Sequence, residues 1–186
     1  MDHTLTVRDS TDADIPAITR IYAHWVRYGL ASFELDPPDE AEMARRRLAI
    51  RAAGYPYLVL VDSGAKVLGY AYAGPFRTRP AFRFSCEDSI YVAADCMGAG
   101  AGRALLSALL ERCETLGFRI MVAVIGDSGN APSIGLHAAL GFQNAGLLPA
   151  IGWKHDRWVD SVLMVRPLGP GPESPPKELA MRGQGQ

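Results

Sequence analysis

Cysteine is scarce in the 186-residue chain: Cys86, Cys96 and Cys113 are odd in number and share no metal-ligand spacing. That excludes a disulfide framework and a cysteine-rich metal module, and leaves three free thiols of a reducing compartment. A long apolar run is missing too. No stretch approaches the roughly 20 residues that cross a bilayer, so a helical membrane span is excluded. Nor is there an apolar leader, because Asp2, Asp9, Asp12 and Asp14 punctuate the first 20 residues. A cytoplasmic location is therefore expected. Basic excess is absent as well: 19 Lys+Arg stand against 20 Asp+Glu. A net charge of -1 argues against a dedicated nucleic-acid binder, which carries a basic domain.

What is present is a 48% hydrophobic chain with material for one ordinary core. From Pro167 to Gln186 the composition changes to five prolines and four glycines, read as a flexible tail. Residues 1–166 are read as the folded domain and 167–186 as that tail. Within the domain, strand and helix signals alternate. Leu5–Arg8 is a short strand, and Thr11-Asp-Ala-Asp14 resembles a capping box before Ile15, Ile18, Tyr22, Trp25 and Val26 at helical spacing. A second helix follows Pro37-Pro38. Tyr57–Val61 and Val67–Ala73 are strands around an Asp-Ser-Gly turn, and Phe82–Val92 is a long strand. Ala101–Leu116 is a helix with Leu105, Leu106, Leu109, Leu110 and Cys113 on one face. The apolar run Phe118–Ile125 predicts a strand buried on both faces. A helix over Pro132–Leu140 and a strand over Trp158–Val165 close an α/β (α+β) order, β-α-α-β-β-β-α-β-α-β, with a mixed sheet covered by helices.

The stretch richest in chemistry is Met97-Gly98-Ala99-Gly100-Ala101-Gly102-Arg103, between a strand and a helix start. Residues without Cβ atoms let backbone N–H groups approach an anion, and a helix N-terminus adds positive potential. A dinucleotide fingerprint needs G-x-G-x-x-G and an acidic residue after the next strand; a P-loop needs Gly-Lys-Ser/Thr. Neither fits. The turn, together with Asn130-Ala-Pro-Ser133, His137 and Gly141-Phe142 downstream, resembles the GNAT superfamily of acyl-CoA N-acyltransferases. Its Q/R-x-x-G-x-G/A signature is matched except at Met97, where Gln or Arg is usual. His137, where many members have Tyr, with Gly69–Arg77, Phe82–Glu87 and Gly152-Trp-Lys-His155, is similar to the branch of phosphinothricin and methionine sulfone/sulfoximine acetyltransferases.

That resemblance implies a mostly antiparallel GNAT-like sheet flanked by helices, acetyl-CoA as co-substrate, no metal, and a homodimer. It implies Glu87 as the base that deprotonates the acceptor amine. On a regular strand Glu87 shares a face with Arg83, Ser85, Ser89 and Tyr91. His137 is a candidate acid for the leaving thiolate, with a helix histidine bonded to backbone or water as its alternative. The backbone of Ile90, Tyr91 and Val92 would pair with the pantetheine arm, a strand N–H near Val92 would face the thioester oxygen, and Asn130 and Ser133 would reach the coenzyme. Asn130 as a helix cap is the alternative. Arg77, Arg79 and Arg83, with Phe82 and Phe33, are candidate contacts for a small anionic amino-acid analogue. Two other functions stay open: the same fold acting on a polyamine, aminoglycoside or protein N-terminus, and a non-catalytic acyl-CoA sensor.

Overall fold

The computed structural model describes residues 5–178. The segment between Thr11 and Asp14 forms the expected capping box, with the Asp14 carboxylate accepting from the Thr11 amide. It leads into α1 (Ile15–Tyr28), whose Ile15, Ile18, Ile21, Tyr22 and Val26 are buried. Asp39 caps α2 (Glu40–Ala52) by accepting from the Glu42 amide. The seven strands are β1 (Thr6–Asp9), β2 (Tyr57–Val61), β3 (Val67–Pro75), β4 (Ser85–Val92), β5 (Ile120–Gly126), β6 (Gln143–Lys154) and β7 (Arg157–Pro167). Helices α3 (Ala101–Thr115) and α4 (Ala131–Ala139) complete the chain order. The sheet order is β1-β2-β3-β4-β5-β7-β6. Every neighbouring pair is antiparallel except β4 and β5.

Two apolar layers hold the sheet. One packs Leu105, Leu106, Leu109, Leu110 and Cys113 of α3 onto Leu58, Leu60, Ala71, Met121 and Ala123. The other packs α1 and Met43 of α2 onto Tyr57, Val59, Val61 and Tyr70. Alternate residues of β2 serve the two layers, which is why its five residues are all buried. Truncating a side chain such as Leu109 in this interior would cost about 2–5 kcal/mol.

Three sequence expectations need correction. The long strand over Phe82–Val92 begins only at Ser85. Pro80 opens a tight 3₁₀ turn through Phe82, closed by the Arg83 amide donating to the Pro80 carbonyl. Arg83 is therefore off the strand and does not share the Glu87 face. Strand β6 was not expected at all. In the run expected to be buried on both faces, Val124 is exposed.

At the other end, β7 runs to Pro167, and Leu168 beyond it is buried in the α3 layer. Arg119 donates to the Ser174 carbonyl. The rest of the expected tail, residues 179–186, lies outside the described residues.

Candidate active site

The site begins where two strands part. β4 and β5 pair in parallel from Ser85–Ile120 to Asp88–Ala123 and no further. Both continue, and Ser89–Val92 and Val124–Gly126 line the two sides of a cavity of about 770 Å³. The Ala93 amide donates to the Leu68 carbonyl of the neighbouring antiparallel ladder. Alternation along β4 then turns the N–H and C=O groups of Ile90 and Val92 toward the cleft. The Trp25 indole donates to the Val92 carbonyl at 2.8 Å, which leaves the Val92 N–H facing the opening.

One end of the cavity is the glycine turn. Gly98 and Gly100 have φ of 77° and 81°, a left-handed backbone that glycine adopts without strain. Gly102 serves packing instead: a Cβ there would lie 3.0 Å from Leu136 of α4. No side chain caps α3, and the first in-helix bond runs from the Ala104 amide to the Gly100 carbonyl. The amides of Ala101, Gly102 and Arg103 are therefore free of helical partners. Met97, Gly98, Gly100, Ala101, Gly102 and Arg103 line the cavity, whereas Ala99 of the same turn does not. Free amides, a 15-residue helix pointing its N-terminus inward and two unpaired strand edges fit an anionic, amide-bearing acyl carrier.

Glu87 lies on the same wall, half-buried. Burial, helped by the adjacent Asp88 carboxylate, pushes its carboxyl up to about 7. On the opposite face of β4, Asp88 is buried with His137. His137 Nδ1 donates to the Ser133 carbonyl at 2.7 Å, and Nε2 lies 3.1 Å from Asp88 Oδ2. Burial lowers the imidazole pKa, but the Asp88 hydrogen bond and charge outweigh it, so the net displacement is upward. Asp88 Oδ1 has no partner. His137 thus makes the backbone bond expected of a helix histidine and at the same time meets the cavity as half of a pair with Asp88. Asn130 caps α4 by accepting from the Ser133 amide at 3.3 Å, and it also lines the cavity with Ser133.

The other end is a wall made by the loop after α1: Ala31, Ser32, Phe33 and Glu34. Tyr22 bonds Ser32 Oγ at 2.9 Å and donates to Glu34 at 2.8 Å, and Arg46 pairs with Glu34 at 2.6 Å. Tyr22, Trp25, Glu34 and Asp88 went unrecognised in the sequence as site residues, although Tyr22 and Trp25 were already visible as one face of α1. Arg77, Arg79, Phe82 and Arg83 are not brought to the cavity. Arg77 lies in the connection after β3 and stacks over Phe76 and Phe82, and Arg83, which the Pro80 turn keeps off β4, stacks over Phe84. The charged groups that do line the cavity are Glu34, Glu87 and Asp88, with Arg103 at the glycine turn and the ring of His137. Among the described residues no group of three or more His, Cys, Asp or Glu is placed to hold a metal.

A parallel pair that splays beside a glycine turn and a helix N-terminus defines a class, the acyl-CoA N-acetyltransferases. Residues 18–142 match the Acetyltransferase (GNAT) family, and the chain belongs to it. It is an enzyme of that family, and its acetyl donor is acetyl-CoA. Among its relatives is the phosphinothricin N-acetyltransferase of Alcaligenes faecalis, 54% identical over 172 residues, 92% of this chain and 87% of that one. The L-methionine sulfoximine/L-methionine sulfone acetyltransferase of Pseudomonas aeruginosa is 41% identical over 170 residues, 91% of this chain and 98% of that one. A crystal structure of a GNAT phosphinothricin acetyltransferase from Sinorhizobium meliloti with acetyl-CoA superposes with a TM-score of 0.91. It is 50% identical, with 96% of each chain covered.

Proposed function

We propose that the protein acetylates the α-amine of a small amino-acid analogue: phosphinothricin, methionine sulfoximine or methionine sulfone. The observation that carries this reading is Glu87, a half-buried carboxyl with a pKa near 7, on the β4 wall that also presents the Val92 N–H. The acceptors named for the relatives support this class of substrate.

An ammonium has no lone pair, so the acceptor must first lose a proton, and Glu87 takes it directly or through one water. The amine then attacks the thioester carbonyl, whose oxygen gains charge opposite the Val92 N–H. The free amides of Ala101–Arg103 hold the pyrophosphate of acetyl-CoA, and the open edge of Ile90–Val92 pairs with its pantetheine amides. Tyr91, Asn130 and Ser133 shape this donor side, and Phe33 borders the acceptor. The leaving thiolate collects a proton, for which the buried Asp88–His137 pair on the cavity wall is the proposed source. No cysteine nucleophile enters the scheme; transfer is direct within a ternary complex.

A homodimer is part of the proposal. Leu147, Leu148, Ile151, Trp153 and Trp158 leave an apolar surface exposed on β6 and β7 at one sheet edge. A large exposed patch of this kind marks an interface. The cytoplasm is the proposed compartment, in keeping with the three free thiols.

A second reading has its own observation. At the acceptor end of the cavity Glu34 is paired with Arg46, but Glu87 has no cationic partner among the described residues, which favours a cationic amine such as a polyamine. Purified protein with acetyl-CoA and a panel of amines separates the readings when thiol release is followed. Release with methionine sulfone or phosphinothricin but not with polyamines is expected. Release with polyamines alone would reverse the assignment, and coenzyme binding without turnover on any amine would make the protein a sensor.

A further inference from the structure

The wall opposite Glu87 is not self-supporting. Ser32, Phe33 and Glu34 sit between α1 and α2 with no secondary structure of their own, and the contacts that fix them come from elsewhere. Lys154, at the end of β6, is 2% exposed and donates to the Ser32 carbonyl at 2.6 Å. Tyr22 and Arg46 hold the side chains of Ser32 and Glu34. The backbone is thus tied on both sides of Phe33.

The Phe33 ring itself rests on Gly152. A Cβ at position 152 would lie 2.3 Å from Phe33 Cε1 and 2.4 Å from Cδ1, well inside contact distance. The glycine is required there for space, since Gly152 is not among the residues with positive φ. The nearest backbone alternative, shifting the loop away, would break the Lys154–Ser32 bond and leave a buried ammonium without its acceptor. With the loop pinned, a displaced ring has to turn about its own side-chain bonds, and the cavity it lines offers the space to receive it.

We propose that Gly152 and Lys154 of β6 are positioning residues that set the size of the acceptor end by fixing Phe33. Gly152 gives the ring its seat, and Lys154 holds the backbone that carries it. The inference rests on the acceptor occupying this end of the cavity, between Phe33 and Glu87. A larger residue at 152 narrows that end, and loss of the Lys154 ammonium loosens it.

A double-mutant cycle over Gly152→Ala and Phe33→Ala tests this, read as separate KM values for acetyl-CoA and for an amine the panel shows to be turned over. Gly152→Ala is expected to raise the acceptor KM at least tenfold with the acetyl-CoA KM unchanged. In a Phe33→Ala background the same change is expected to have less than a twofold effect, because no ring remains to be displaced. Equal effects in both backgrounds would overturn the proposal. Lys154→Met, which keeps the stem, is expected to bring the KM values of short and long acceptor side chains closer together; an unchanged ratio would count against the role of Lys154. A crystal structure of Gly152→Ala gives a readout that needs no acceptor. The Phe33 ring turned into the cavity supports the seat even if no amine in the panel reacts, and an unmoved ring refutes it.

Discussion

His137 Nε2 lies 3.1 Å from Asp88 Oδ2 beneath the point where β4 and β5 part, and both side chains are almost wholly buried. Because a carbonyl can only accept, the 2.7 Å contact with Ser133 fixes a proton on Nδ1. Nε2 and the carboxylate therefore share the one proton that distinguishes the two states of the pair. Asp88 holds the imidazole pKa above its usual value of about 6.5 despite burial. A raised folded-state pKa contributes stability that is fully present below the unfolded value and lost as pH rises through the folded one. Asp88→Asn is accordingly expected to cost about 2 kcal/mol at pH 6, the scale of a buried hydrogen bond to a charged group, and less at pH 9. Urea denaturation at the two pH values checks this. A penalty that grows with pH would contradict the pairing.

Met97 offers a test of the donor side. It is half-exposed at the glycine turn, at the one position that departs from the Q/R-x-x-G-x-G/A signature the turn resembles, and the backbone amides behind it are unaffected by its side chain. Met97→Arg adds a cation beside the amides that hold the pyrophosphate. Acetyl-CoA affinity is expected to tighten roughly 2- to 5-fold, the worth of an exposed ion pair, and to become more salt-sensitive. Calorimetric titration at two salt concentrations reads both. Weaker binding would show that the site is organised differently.

The apolar edge of β6 and β7 predicts assembly. Ile151 is 59% exposed and Trp158 62% in the single chain. Ile151→Asp is expected to convert a dimer to a monomer in light scattering, with the thermal transition of the monomer retained. A wild-type protein that is already monomeric would remove the homodimer.

Much of this architecture is legible in the chain because it is carried by short-range patterns. The α1 and α3 stripes, the capping box at Thr11–Asp14 and the glycine turn each follow from neighbours in sequence. β6 escaped notice because its residues alternate with nothing: the strand is mostly exposed, and Gly146, Pro149 and Gly152 interrupt it. Arg83 was misplaced because the turn opened by Pro80, three residues upstream, delays the start of the strand to Ser85. The rest of the site is tertiary. Asp88 and His137 are 49 residues apart and Lys154 and Ser32 122 apart, and no local periodicity links such pairs. Glu34 and Tyr22 belong to the wall only because Arg46 and Ser32 fold against them.

The proposed role of Glu87 as base rests on its environment. The carboxyl is pushed up by burial and by Asp88, so it ionises near neutral pH, where a base is most effective. The most direct measurement is kcat/KM against pH for the wild type and Glu87→Gln, with methionine sulfone as acceptor and acetyl-CoA binding measured in parallel. The wild-type profile is expected to rise with an apparent pKa of about 7. Glu87→Gln is expected to lose that rise and at least roughly 100-fold in activity, as removal of a general base does, with acetyl-CoA affinity unchanged. A Gln variant that keeps both the profile and the rate would show that another group accepts the proton.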